Sequence, residues 1–301
     1  MSFPLSIIPR EKFHEHPLLS RLLELHDVPE ILYVAGELPK VILDEYGRAT
    51  PRILTVIGSR KNTNYGKSCV ERLINSIRNE NVIILSGLAY GIDSLAHSTA
   101  LKNNLITVAI PGSGLDSNVI YPKSHLSLAE EIVEKNGALI SELDPKTSAA
   151  QWTFPSRNRI MAALSDALLV VEAEEKSGTL ITARQALELG RDIGAVPGDI
   201  FSPTSSGTNL LIRDGAYTVT NSDDLYALLH LSKKENNSVD ESIKDYSPNE
   251  QLIMNILTEP MEKDLLLLKI NISLSEFLVA LSSLEMRGVV EEIFGEVRKI
   301  V

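Results

Sequence analysis

Apolar positions fall along this chain in two alternating patterns. Short runs dominated by β-branched and aliphatic residues occur at 53–57, 82–85, 106–110, 138–140, 167–171 and 193–196. Runs of that length predict strands buried on both faces. Between them, stretches near 65–78, 92–102, 124–135, 157–165 and 179–190 carry apolar residues at helical spacing. Strand alternating with helix, with glycines at the strand ends, predicts an α/β architecture: a Rossmann-like, doubly wound, mainly parallel sheet. Such sheets meet their ligands at the carboxyl ends of the strands.

Outside that region the pattern changes twice. Residues 1–50 are apolar pieces broken by Pro4, Pro9, Pro17, Pro29 and Pro39, expected as an N-terminal extension packed on the 51–231 core, with 31–35 as an edge strand. Residues 232–247 are polar and aperiodic and read as a linker. Periodicity resumes in 248–301, with helices expected at 249–257, 262–268 and 275–287 and short strands at 289–292 and 297–301. Leu274, Phe277, Leu278, Leu281 and Leu284 form one apolar face of the third helix. Three helices followed by a β-wing predict a small C-terminal winged-helix-like domain.

Composition narrows the function classes. The 301 residues are 44% hydrophobic and 23% charged, enough for a sizeable core, and the net charge of −11 argues against a broadly basic nucleic-acid binder. A local basic groove stays open. In 248–301 nine acidic residues face five basic ones, so that segment reads as an accessory or protein-interaction module. Cys69 is the lone cysteine, and no stretch reaches the roughly 18 apolar residues of a membrane span. With no basic leader before an apolar run, a cytoplasmic location is expected. His14 and His16 sit beside Pro17 with no further ligand in view and read as surface, so neither metal nor cofactor is expected.

The candidate chemistry gathers at the strand ends. Gly58-Ser59-Arg60 closes the first strand; Gly66-Lys67-Ser68 beyond it tempts a phosphate-loop reading, but seven residues separate the two glycines where that loop has four. Ser86-Gly87 and Gly91 follow the second strand, where Asp93 reads as a helix cap and, with His97, as packing rather than catalysis. Gly112 and Gly114 follow the third, without the last glycine of a dinucleotide loop, and Tyr121-Pro122-Lys123 offers a ring and a cation beside them. Arg157, Asn158 and Arg159 concentrate donors near a helix start, either for phosphate oxygens or for internal partners such as Glu142, Glu172 or Asp166. Ser177-Gly178-Thr179 and Ser206-Gly207-Thr208-Asn209 read as further anion-friendly turns.

The motifs IGSR (57–60), SGLAYGID (86–93), IPGSGLD (110–116) with YPK (121–123), FPSRNRI (154–160), SGTLITA (177–183) and GTNLLIRDGA (207–216) closely resemble, in this order, the DNA-processing protein A (DprA/Smf) family. The resemblance implies a dimeric single-stranded DNA binder, not an enzyme, that loads the RecA recombinase in natural transformation. It maps DNA contacts onto Arg60 and Lys123, with Ser59, Ser86, Gly87, Gly91, Gly112 and Gly114 bordering the groove and Arg157, Asn158 and Arg159 extending or shaping it. The alternative is a nucleotide sensor or an enzyme resembling nucleoside-monophosphate phosphoribohydrolases, whose motif needs a glutamate where this chain has Thr182.

Overall fold

In the computed structural model the apolar runs of 53–196 become interior strands of one nine-stranded sheet. The structure describes residues 3–232, 246–293 and 295–299. Two compact units divide the chain, 1–232 and 233–301. In chain order the first contains β1 (Leu5–Pro9), α1 (Pro17–Ser20), β2 (Ile31–Gly36), β3 (Ile42–Leu43), β4 (Ala49–Thr50), β5 (Arg52–Ile57), α2 (Asn64–Ser76), β6 (Val82–Ser86), α3 (Ile92–Lys102) and β7 (Thr107–Ala109). It continues with α4 (Leu126–Glu134), β8 (Ala138–Ser141), α5 (Thr153–Leu164), β9 (Ala167–Val170), α6 (Gly178–Glu188), β10 (Asp192–Ala195), α7 (Pro203–Arg213), β11 (Tyr217–Thr218) and α8 (Ser222–Leu228).

The sheet order is β1-β2-β8-β7-β6-β5-β9-β10-β11, parallel from β8 to β11 and antiparallel at β1 and β2. The chain steps outward from β5 through β8, returns to lay β9 beside β5, and steps outward the other way. That reversal is the topological switch point, where open α/β sheets leave a crevice. Successive side chains alternate between faces, so Ile53 and Ile57 join one apolar cluster while Leu54 and Val56 join the other. The near-continuous apolar character of β5, β6 and β9 follows from having both faces covered.

Three expectations need correction. Residues 31–35 are not an edge: β1 pairs outside them, Leu5 opposite Ala35, a strand hidden from periodicity by its flanking prolines. The 206–209 turn is helix instead, inside α7, which Pro203 opens from its first position. The third shift concerns α5, which begins at Thr153, so Phe154–Arg159 occupy its first two turns and Pro155 falls where a missing N–H costs nothing.

The second unit holds α9 (Pro248–Ile256), β12 (Met261–Glu262), α10 (Lys263–Ile270), α11 (Leu274–Met286), β13 (Val290–Ile293) and β14 (Glu296–Lys299), with an antiparallel sheet ordered β12-β14-β13. Capping boxes at Ser247/Glu250 and Ser273/Glu276 open α9 and α11. Phe277, Leu281 and Leu284 are buried in this unit's own core, but Leu274 and Leu278 are exposed. Most of the expected linker, 233–245, lies outside the described residues.

The N-terminal segment is fixed to the sheet by a buried ion pair. Arg21, 2% exposed, donates to Asp166 Oδ1 at 3.1 Å and to the carbonyls of Leu164 and Ser165 at 3.0 and 2.7 Å. Asp166 also accepts the backbone N–H groups of Ala49 at 3.0 Å and Ile53 at 2.7 Å. Removing one member of such a pair strands a buried charge. Asp166→Ala is therefore expected to lower the unfolding free energy by about 3–5 kcal/mol, whereas Glu30→Ala, which breaks an exposed pair with Arg10, should cost less than about 1 kcal/mol. Urea denaturation of both variants checks this, and equal losses would overturn it.

Candidate nucleic-acid interface

β5 delivers Gly58, Ser59 and Arg60 to the carboxyl edge of the sheet. Gly58 is required there, because a Cβ would stand 2.7 Å from Ile92 Cγ1 and 2.9 Å from the Glu172 carbonyl. The Ser59 carbonyl accepts the Ile92 N–H at 3.1 Å and its hydroxyl accepts the Lys61 N–H at 3.1 Å, which holds the turn rigid. Arg60 is exposed and, among the described residues, makes neither an ion pair nor a hydrogen bond. Its guanidinium instead lies 4.7 Å from the ring centre of Phe154, a cation–π contact.

Phe154 organises the neighbouring side chains. Tyr121, 41% exposed, meets it edge-on with ring centres 5.9 Å apart. Gly112 lies beneath it, where a Cβ would be 2.6 Å from two ring atoms. Lys123 is exposed, with Nζ donating to the Ser117 carbonyl at 2.8 Å and no carboxylate partner among the described residues. On the other side, Gly91 adopts a φ of +77° and packs so closely on the Ser59 carbonyl that no side chain fits. This brings Tyr90, 45% exposed, alongside, its ring edge-on to His125 at 5.1 Å. His125 Nδ1 is 2.8 Å from the Leu88 carbonyl and donates to it. Arg60, Phe154 and Tyr121 thus form a contiguous cation-and-ring group contributed from the ends of three strands, with Lys123 two residues beyond Tyr121.

Other candidates lie beneath this surface rather than on it. Ser86 is fully buried and donates to the Val56 carbonyl at 2.6 Å. The hollow at Gly87 is filled by the Arg157 guanidinium, and the carbonyls of Asp144 and Pro145 press on Gly114, whose N–H donates to the Thr147 carbonyl at 2.8 Å. Arg157 is buried; Nη1 donates to the Ile110 carbonyl and Nε to Asn158 Oδ1 at 3.1 Å. Arg159 donates to the Asp27 carbonyl at 2.6 Å and pairs with Glu142. Of the two roles open to the 157–159 cluster, the internal one is observed. Phe154, Tyr90 and Trp152, the last 61% exposed, were not singled out from sequence; the signal available was aromatics interleaved with the glycine turns.

Burial sets the electrostatics below this group. Desolvation lowers Arg157 to about 10, with the charge of Asp93 opposing it, and the same burial pushes the Asp93 carboxyl up against the pull of Arg157. Desolvation lowers His97 to about 3, helped by the charges of Arg157 and His125. Thr107 donates to the Ile84 carbonyl at 2.8 Å, so His97 Nδ1–H donates to the Thr107 hydroxyl at 2.7 Å. Asp93, expected as the cap of α3, lies in its first turn behind the N-cap Gly91 and accepts the Ala89 N–H at 3.4 Å. Among the described residues no cluster of His, Cys, Asp or Glu could hold a metal ion, and no single helix is long and apolar enough to cross a membrane. Thr182 is buried and donates to the Gly178 carbonyl at 3.4 Å. Lys67 pairs on the surface with Glu71 at 3.9 Å.

Because His97 titrates lower in the folded protein than in the unfolded chain, the unfolded chain binds the extra proton first. Its contribution is complete above about 6.5 and is lost as pH falls toward about 3. Unfolding free energy should fall by roughly 1 kcal/mol per pH unit in that window, and His97→Asn should flatten the slope. Urea titrations at several pH values test this; identical slopes would refute it.

Comparison with known proteins places this geometry. The family model for DNA recombination-mediator protein A matches residues 11–230. The chain is 37% identical over 205 residues to the DNA processing protein DprA of Bacillus subtilis, covering 68% of this chain and 66% of that protein. Over 288 residues it is 35% identical to Protein Smf of Escherichia coli, covering 91% of this chain and 73% of the relative. The structure of DNA processing protein A from Helicobacter pylori, described for its single-stranded DNA binding mode, aligns with a TM-score of 0.63 at 29% identity over 76% of this chain and 96% of that one. This chain belongs to the DNA recombination-mediator protein A (DprA/Smf) family.

Proposed function

We propose that the group at the carboxyl edge binds the backbone and bases of single-stranded DNA, and that the chain is a recombination mediator rather than an enzyme. The observation that carries this is Arg60: an exposed guanidinium in no direct ion pair or hydrogen bond among the described residues, held on Phe154, which Tyr121 meets edge-on. Single-strand binders combine cations that follow the phosphates with rings on which bases stack, and they read little sequence. A net charge of −11 does not oppose this, since salt screens charges beyond roughly 8 Å. Few cations mean few phosphate contacts and a modest salt dependence.

Transfer of the bound strand to the RecA recombinase, action as a homodimer and a cytoplasmic role in natural transformation are parts of this reading supported by the family resemblance. The C-terminal unit, winged-helix-like in its three helices and antiparallel wing, fits an accessory role because its charge is acidic. The competing phosphoribohydrolase reading lacks a carboxylate at Thr182, whose hydroxyl cannot replace a glutamate at a ribosyl bond.

Two measurements test the proposal. In fluorescence-anisotropy titrations with a labelled oligonucleotide, Phe154→Ala should cost about 1–3 kcal/mol of binding. Arg60→Ala and Lys123→Ala should each weaken binding and reduce the salt slope by about 0.7; unchanged affinity in all three would remove the site. Incubation with AMP should release no ribose 5-phosphate, and robust release would overturn the non-enzyme assignment.

A further inference from the structure

The crevice at the switch point between β5 and β9 is where a doubly wound sheet ordinarily takes a nucleotide phosphate, at the N-terminus of the helix after the first strand. Here that place is filled by the protein itself. Glu172, two residues beyond β9, is 2% exposed. Its Oε2 accepts the Thr63 N–H at 3.0 Å and its Oε1 accepts the Thr63 hydroxyl at 2.6 Å. Thr63 is the N-cap of α2, and its hydroxyl in turn accepts the Gly66 N–H at 3.2 Å. Gly66 is glycine because a Cβ would overlap the Glu172 carboxylate, and Gly58 is packed against the Glu172 carbonyl. Among the described residues no Lys or Arg pairs with Glu172. Its partners are the backbone N–H and the hydroxyl of the N-cap residue at the positive end of α2, donors of the kind that favour an anion at a helix N-terminus.

We propose that Glu172 is a specificity-determining and positioning residue: its carboxylate occupies the phosphate place of the switch point, shutting out mononucleotides and fixing the 58–66 turn so that Arg60 faces outward for a strand backbone. This deepens the DNA-binding reading, yet its decisive test uses no DNA. Glu172→Ala would leave a cradle lined by Thr63, Gly58 and Gly66 with no anion in it. Thermal unfolding of the full chain is followed in inorganic phosphate, in AMP and in chloride at matched ionic strength. Both phosphate ligands should raise the midpoint of Glu172→Ala over chloride, by about 3 °C at roughly ten times Kd, and leave the wild type at its chloride value. Equal shifts in the two proteins, or none in either, would overturn the proposal; a rise with inorganic phosphate alone would overturn its mononucleotide part. If the variant does not fold in chloride, its recovery after dilution from urea is compared in the two salts: phosphate-dependent recovery supports the proposal, and equal failure refutes it. Oligonucleotide binding by the wild type, measured separately, tells failure of the DNA reading from failure of this one.

Discussion

The guanidinium of Arg157 sits where four segments meet. It fills the space left by the missing side chain of Gly87, donates to the Ile110 carbonyl at the end of β7, offsets the buried charge of Asp93 at the start of α3, and belongs to α5, the helix that carries Phe154. A buried cation with directional donors tolerates little displacement, because each lost hydrogen bond leaves a desolvated charge exposed to the low-dielectric interior. The positions of the turn after β6, the turn after β7 and the first turn of α5 are therefore coupled. Two of those segments carry Tyr90 and Phe154, and Tyr121 meets Phe154 edge-on.

The same division between a buried scaffold and a thin functional surface explains the charge distribution. Several arginines of this domain are committed to the protein's own groups: Arg21 to Asp166, Arg157 to Ile110, Arg159 to Glu142 and Asp27, Arg191 to Glu24. Arg60 makes no ion pair among the described residues, and its turn is held by the Ser59 carbonyl and hydroxyl. An acidic protein then presents a local cationic edge, and screening keeps the two from cancelling.

At the switch point a buried carboxylate, Glu172, stands against the N-terminus of α2. A helix N-terminus at a strand end is attractive to any anion. In this chain the anion is internal, provided by β9 to the helix after β5 across the strand pair that defines the crevice. In the proposed reading, the DNA backbone meets the outer edge that carries Arg60, Phe154 and Tyr121.

The sequence by itself determined the alternation of buried strands and amphipathic helices, the parallel sheet and the clustering of unusual residues at strand ends. These follow from local periodicity and turn chemistry, which a single chain carries in its own order of residues. Arg60 and Lys123 are singled out as DNA contacts through the family resemblance of the turns that carry them. Only the tertiary structure decided which of the remaining polar residues reach the surface. In sequence Arg157 and Arg159 are open to phosphate or to internal partners, and Ile110, Glu142 and Asp27, residues 17 to 132 positions away, take their hydrogen bonds. The glycines at 87, 112 and 114 signalled close approach without saying of what, and the answer was the protein's own guanidinium, ring and carbonyls. Strand β1 and helix α7 were hidden for a related reason: their pairing and packing are nonlocal, and burial against distant segments outweighs the local signals of proline, glycine and hydroxyl residues.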